Sequence, residues 1–243
     1  MSAVFSTPAQ LERIKVVLSR YLRLPFSSDS VPGALLEGVL AHVRNAERLN
    51  TYDFVDVVDQ KAHVGWQIKS TKESTPVTWK RAKIPNKEVL VAESRKSSRG
   101  VQDLGNAIID FCNAHAAESI SRYKLEEIGY ARLILSDGLV RYFERPLCTS
   151  RKPRIFEPSD FSWAWSIQKK TEKKEQLSAF HGVHIKSGTK WFAWHGLGEN
   201  QLHFSGEKAW WPPKDSPHAV AFQFPTDKER ISLDGLVTML ERL

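Results

Sequence analysis

Two runs constrain the fold of this 243-residue chain more than any other part: Tyr52-Asp53-Phe54-Val55-Asp56-Val57-Val58, and Val64-Gly65-Trp66-Gln67-Ile68-Lys69-Ser70-Thr71. Both have strand length and are rich in β-branched and aromatic residues. The polar Asp59-Gln60-Lys61-Ala62 between them reads as the connection of a β-hairpin. An acid interrupts the first run, and Gln67 and Lys69 lie two apart in the second. Side chains two apart on a strand share one face, so Gln67 and Lys69 project together, with room beside them for a carboxylate of the first strand. Asp53 and Asp56 are three apart and face opposite sides. A three-residue turn sets Asp53 opposite Gln67; a turn of two or four gives that face to Asp56. An acid, a metal-ligating oxygen and a lysine on one sheet face are the groups from which a metal-dependent phosphodiesterase can be built.

The chain is long enough for one substantial domain or two small ones, and 41% hydrophobic residues can fill a core. It has no run of eighteen apolar residues and no charged stretch followed by an apolar one at its start, so neither a transmembrane helix nor a secretory signal is expected. Cys112 and Cys148 lack the spacing of a zinc site and suggest reduced thiols in a cytoplasmic protein. The net charge is +7 and is concentrated. Residues 61–99 hold ten Lys or Arg against three Glu, whereas the remainder holds 25 of each sign. The whole surplus begins at the hairpin, as a polyanion-binding surface requires.

Helical periodicity predicts a first helix from Thr7, a second over Gly33–Leu49 carrying Glu37, a third over Val101–Arg122 and a last over Ser232–Leu243. Pro25 and Ser27-Ser28-Asp29-Ser30 end the first. Val89–Ala92 reads as a short buried strand. Asp137-Gly138 reads as a two-residue turn, both positions wanting positive φ, between strands 130–136 and 139–145. Residues 155–225 carry six of the eight tryptophans in strand-like alternation. Core or interface roles for these outweigh base stacking, and the histidines, which show no metal-ligand spacing, read as core or surface residues. The expectation is a single α/β domain over 1–243, a mixed sheet flanked by helices. It comprises a core at about 33–135, a β-rich, Trp-rich elaboration for recognition or dimerisation at about 139–225, and the helix 232–243.

Glu37 on an early helix, Tyr52-Asp53 opening a strand and Gln67-Ile68-Lys69 on its partner resemble the PD-(D/E)XK nuclease superfamily, and more narrowly a type II restriction endonuclease. The proline of the motif is Tyr52 here, and the acid two before the lysine is Gln67. A second Ile-Lys-Ser, at 185–187, follows His184 and no acidic strand.

The resemblance implies a restriction-endonuclease-like sheet and Mg²⁺-dependent hydrolysis of double-stranded DNA to 5′-phosphate ends, with Mn²⁺ able to substitute. Asp53, Gln67, Lys69 and Glu37 would be catalytic. Asp53, the Gln67 side chain, the Ile68 carbonyl and Glu37 would hold the metal, with Asp56 as the alternative acid. Lys72, Lys80, Arg81, Lys83, Arg99 and Asn106 are candidates to contact DNA. A homodimer in a prokaryotic, nucleoid-accessible cytoplasm is implied, beside a cognate DNA methyltransferase that forms no stable complex with it and without a membrane partner. A structure-specific or repair nuclease and a non-catalytic DNA-binding protein are the rival readings.

Overall fold

The computed structural model describes residues 2–27, 30–50, 52–166, 170–171, 174–175, 178–213 and 215–242. In chain order the elements are α1 (Pro8–Tyr21), α2 (Gly33–Arg44), β1 (Glu47–Arg48), β2 (Val57–Asp59), β3 (Val64–Lys72), β4 (Val77–Arg81), α3 (Lys87–Ser94) and α4 (Ser98–Tyr123). Then come β5 (Glu127–Ser136), β6 (Leu139–Thr149), β7 (Phe161–Trp165), β8 (Lys170–Thr171), β9 (Lys174–Glu175), β10 (Phe180–His184), β11 (Thr189–His195), β12 (Gln201–Phe204), β13 (Ala219–Gln223) and α5 (Leu233–Leu240). The chain is mixed α/β, as its patterning predicts. Where one domain is expected, the described contacts group residues 1–75, 119–151 and 212–243 into one unit and residues 76–118 and 152–211 into another.

The first unit is built on a mixed sheet of order β1-β2-β3-β5-β6-β13. β3 pairs antiparallel with β2 and parallel with β5, so the chain must cross over between β3 and β5. Thr7 opens α1 with a capping box shared with Gln10, and Pro8 occupies the first turn, where a missing N–H costs nothing. Leu11, Ile14 and Leu18 of α1 and Leu36 and Leu40 of α2 join Trp66 and Ile68 of β3 in the core. Trp66 is fully buried, its indole N–H donates to the Val4 carbonyl at 3.1 Å, and the Arg44 guanidinium lies 4.7 Å from its ring centre. Arg44 also donates to the Phe5 carbonyl at 2.8 Å, and Ser6 donates through its N–H and hydroxyl to the buried Glu144. The segment before α1 is thereby strapped to the sheet.

The second unit holds an all-antiparallel sheet of order β4-β12-β11-β10-β7. Its inner face is aromatic: Trp79, Phe204, Phe192, Trp194, Phe180 and Trp163 are buried. Phe156 fills the middle, edge-on to Phe192 at 5.0 Å and stacked on Trp210 at 5.8 Å. Offset and edge-to-face geometries of this kind add to area burial, and Trp79, Trp163 and Trp194 have a core role here. Asn113 of α4 donates to the Phe156 carbonyl at 2.8 Å and accepts from the Ile155 amide at 2.9 Å. Gly105 lets α4 approach: a Cβ there would lie 2.2 Å from Trp163 Cδ1.

Several local expectations are corrected. The second helix stops at Arg44, because Asn45 turns left-handed at φ 53°. Residues 52–56 are irregular, and only Val57–Asp59 pair as a strand. Val89–Ala92 lie in the helix α3, since a short apolar run suits either element. At Asp137-Gly138 only Gly138 has positive φ, 71°, so the turn is not the doubly left-handed one expected. The third helix begins at Ser98 and ends at Tyr123; the last begins at Leu233 with Ser232 as its cap. Ser28, Asp29 and Leu243 lie outside the described residues.

Replacing Trp66 by Ala removes a buried ring, its hydrogen bond and its cation contact together. The expected loss is about 3–5 kcal/mol, read as a lower urea midpoint in equilibrium unfolding.

Candidate active site

The connection between β2 and β3 fixes the site. Asp59 ends β2, and its Oδ1 accepts from the amides of Lys61 at 3.0 Å and Ala62 at 2.9 Å. His63 closes the turn at φ 53°, so four residues, Gln60–His63, form it. A turn of four gives the face beside Gln67 to Asp56. The Asp56 amide donates to the Trp66 carbonyl at 2.7 Å, and its Oδ2 accepts from the Ile68 amide at 2.7 Å. The carboxylate therefore lies on the strand edge between Gln67 and Lys69. In an extended strand the N–H and C=O of one residue point to the same edge, so the Ile68 carbonyl opens on the side that carries Asp56.

Val64, Trp66 and Ile68 face the helices, which sends Gln67, Lys69 and Thr71 to the opposite face. Gln67 is buried and Lys69 half-buried. Across β5, Tyr130 lies opposite Gln67 and Arg132 opposite Lys69; across β6, Arg145 lies opposite Tyr130. Arg132 is 1% exposed and donates to Thr71 Oγ1 at 2.8 Å, to the Lys69 carbonyl at 3.5 Å and to the Leu133 carbonyl. Burial pushes the Arg145 guanidinium below its ordinary range, with the nearby Tyr130 opposing. Sequence reading assigned no role to Tyr130, Arg132 or Arg145. The available signal was a charged residue inside the apolar run Tyr130–Leu135.

The other predicted residues sit elsewhere. Asp53 accepts from Arg122 Nη1 and from the Tyr123 hydroxyl, each at 2.5 Å, and is tied to the end of α4. Its hydrogen bond holds the Arg122 guanidinium above its usual value. Glu37 accepts from Arg48 Nε at 2.9 Å, linking α2 to β1. Asp56, Gln67 and Lys69 are brought together; Asp53 and Glu37 are engaged apart from them. Among the described residues no three His, Cys, Asp or Glu side chains are grouped to hold a metal ion. The set available is one carboxylate, one amide oxygen and one main-chain carbonyl. These are oxygen donors of the kind Mg²⁺ takes, with less charge than two carboxylates would give.

Of the basic candidates, Lys72 ends β3 in the first unit, and the others belong to the second. Arg81, Lys83 and Arg99 are exposed. Lys80 is half-buried and close enough to Cys112 to act on its thiol, and the Asn106 side chain accepts from Gln102 at 3.0 Å.

The chain matches no family model, no curated protein and no solved structure.

Burial pushes the thiols of Cys112 and Cys148 up to about 12, which leaves them protonated and non-nucleophilic at neutral pH. Neither should react with Ellman's reagent in the folded protein near pH 7, and both should react at once in denaturant.

Proposed function

We propose that this chain is a Mg²⁺-dependent endonuclease that cleaves double-stranded DNA at specific sites, in the manner of a type II restriction enzyme. The observation that carries the reading is the Asp56 carboxylate, 2.7 Å from the Ile68 amide and flanked on β3 by Gln67 and Lys69. The succession α2-β1-β2-β3-β4-α3-α4-β5, with β5 parallel to β3, supports a restriction-endonuclease-like core. Asp56 replaces Asp53 as the proposed acid.

The Asp56 carboxylate, the Gln67 side-chain oxygen and the Ile68 carbonyl would hold the metal. Bound there, Mg²⁺ would neutralise phosphate charge and acidify a coordinated water. Lys69 would place its ammonium against the charge that develops on the attacked phosphate. Arg132 positions Lys69 through its carbonyl and through Thr71, which keeps the lysine stem in register. Exposed Arg81, Lys83 and Arg99 of the second unit would bind backbone phosphates, and Lys72 at the end of β3 would do so on the first. A homodimer would match a palindromic site, giving 5′-phosphate ends, and a separate methyltransferase would protect the host's own sites.

Purified protein incubated with plasmid and phage DNA, with and without Mg²⁺, is expected to give discrete bands with the metal alone. A smear or a preference for branched substrates would indicate a repair-type nuclease, and a mobility shift without cutting a binding protein. Lys69→Ala and Asp56→Ala are each expected to lower the cleavage rate by at least about a hundredfold. Gln67→Glu should retain metal-dependent cleavage. Asp53→Ala should lower the melting temperature while cleavage persists; loss of cleavage with Asp53→Ala and its survival with Asp56→Ala would reverse the choice of acid.

A further inference from the structure

We propose that the outward face of the five-stranded sheet in the second unit is a contact surface for double-stranded DNA, on which His181, His195 and His203 engage backbone phosphates as imidazolium ions. The inference takes its partner from the nuclease reading and its chemistry from the sheet itself.

With the aromatic side chains turned inward, the alternate positions of each strand face outward. The Cα register sets Ala164, His181, Ala193, His203 and Thr78 in one row across all five strands. Small side chains thus separate the two imidazoles and leave the row flat. His195, two residues beyond Ala193, shares that face and lies between them, its ring 5.1 Å from that of His203. All three histidines are half-buried rather than covered.

The charge pattern is one-sided. The five strands contain no Asp or Glu, yet they carry Lys80, Arg81, Lys190 and four histidines. Arg81, exposed at the end of β4, lies opposite Gln201, which in turn opposes His195. Lys190 on β11 acts on both His181 and His195. β7 presents only Ser162 and Ala164 on this side. Lys80 turns towards Leu202 and Cys112 past the bulge in β4–β12. In the β11–β12 turn, the carboxylate of Glu199 accepts from Gln201, and Lys87 of α3 approaches the Gly196 carbonyl at 3.3 Å. His184 stands apart, stacked on Trp191 at 4.2 Å and bonded to Ser187.

Burial first, then Lys190 and neighbouring imidazoles, hold His181, His195 and His203 below the ordinary histidine range. Lowered histidine values mean that the free fold resists protonation, so these groups cost stability as pH falls through about 6.5. A row of phosphates reverses the balance, because it removes the repulsion and favours the charged rings. DNA binding should therefore take up protons and tighten with acidity.

The test is fluorescence anisotropy of a labelled duplex DNA with the full chain in EDTA, from about pH 8 to pH 5.5. Wild-type affinity is expected to rise about tenfold or more on acidification, and the triple variant His181→Gln/His195→Gln/His203→Gln to lose most of that rise. Arg81→Ala should reduce the slope of log K against log salt by about one at every pH. Wild-type affinity independent of pH, or a triple variant that keeps the full rise, overturns the proposal. Should the triple variant not melt cooperatively, His181→Gln and His203→Gln are used singly, each expected to remove part of the rise. Plasmid cleavage with Mg²⁺ is followed in parallel. Cleavage without pH-dependent binding removes this surface and leaves the nuclease reading; pH-dependent binding without cleavage upholds the surface and removes the nuclease reading.

Discussion

The two-residue period of β3 is the constraint on which the first unit depends. Trp66 and Ile68 must enter the core beneath α1 and α2, so Gln67, Lys69 and Thr71 have no choice of side. A slip of one residue would expose the Trp66 ring and drive the Lys69 ammonium among Leu36 and Leu40. Burying an unpaired charge costs several kcal/mol, and losing the tryptophan adds a similar amount, which together compare with the whole stability of a domain of this kind. The same packing that holds the fold therefore aims the polar side chains. β5 repeats the pattern beside it: Ala131, Leu133 and Leu135 face the core, while Tyr130 and Arg132 line up with Gln67 and Lys69.

The segment before α1 closes that core from its edge. Trp66 donates to Val4, Arg44 to Ala3 and Phe5, and Ser6 to Glu144, so three different elements hold four consecutive residues. Phe5 stacks on His218 with ring centres 3.5 Å apart. Glu144 shows how the polar part of this strap is balanced. Burial pushes its carboxyl up, and the hydrogen bonds from Ser6 and Tyr142 pull it back without fully offsetting the cost. A buried acid with its lone pairs satisfied is tolerable; the same acid without Ser6 would keep the Tyr142 hydrogen bond and lose two others.

The hairpin, the α/β class, the helix caps and the aromatic alternation were legible because each rests on local spacing. Thr7-Pro8 writes a helix start within two residues, and no distant contact is needed to read it. The identity of the acid was not legible. It depends on the Asp59 side chain capping the turn and on His63 adopting left-handed backbone, neither of which spacing encodes. Asp53 matched the expected motif but is drawn to the end of α4, where the neighbouring Phe54 amide also donates to Ser119 at 3.1 Å. Arg132 was missed for the opposite reason. A charge in an apolar run looks like a surface position until the register shows it beside Lys69 and Thr71.

The two units place positive charge by different rules. On the first, Lys69 shares a strand with the Ile68 amide that holds an acid, Asp56, and Arg132 is held by carbonyl groups and the Thr71 hydroxyl. The second sheet excludes acids from its strands and relies on imidazoles instead. Geometry explains the choice of residue. Two permanent charges at the 5.1 Å separation of His195 and His203 would repel by about 3 kcal/mol at an effective dielectric of 20. Lysines there would impose that cost in every state of the protein. Histidines impose it only when protonated, and protonation becomes favourable when an anion lies across the row. An acid-free sheet that sets histidines beside Arg81 and Lys190 would thus add imidazolium charge to a standing positive charge only where phosphate lies across it.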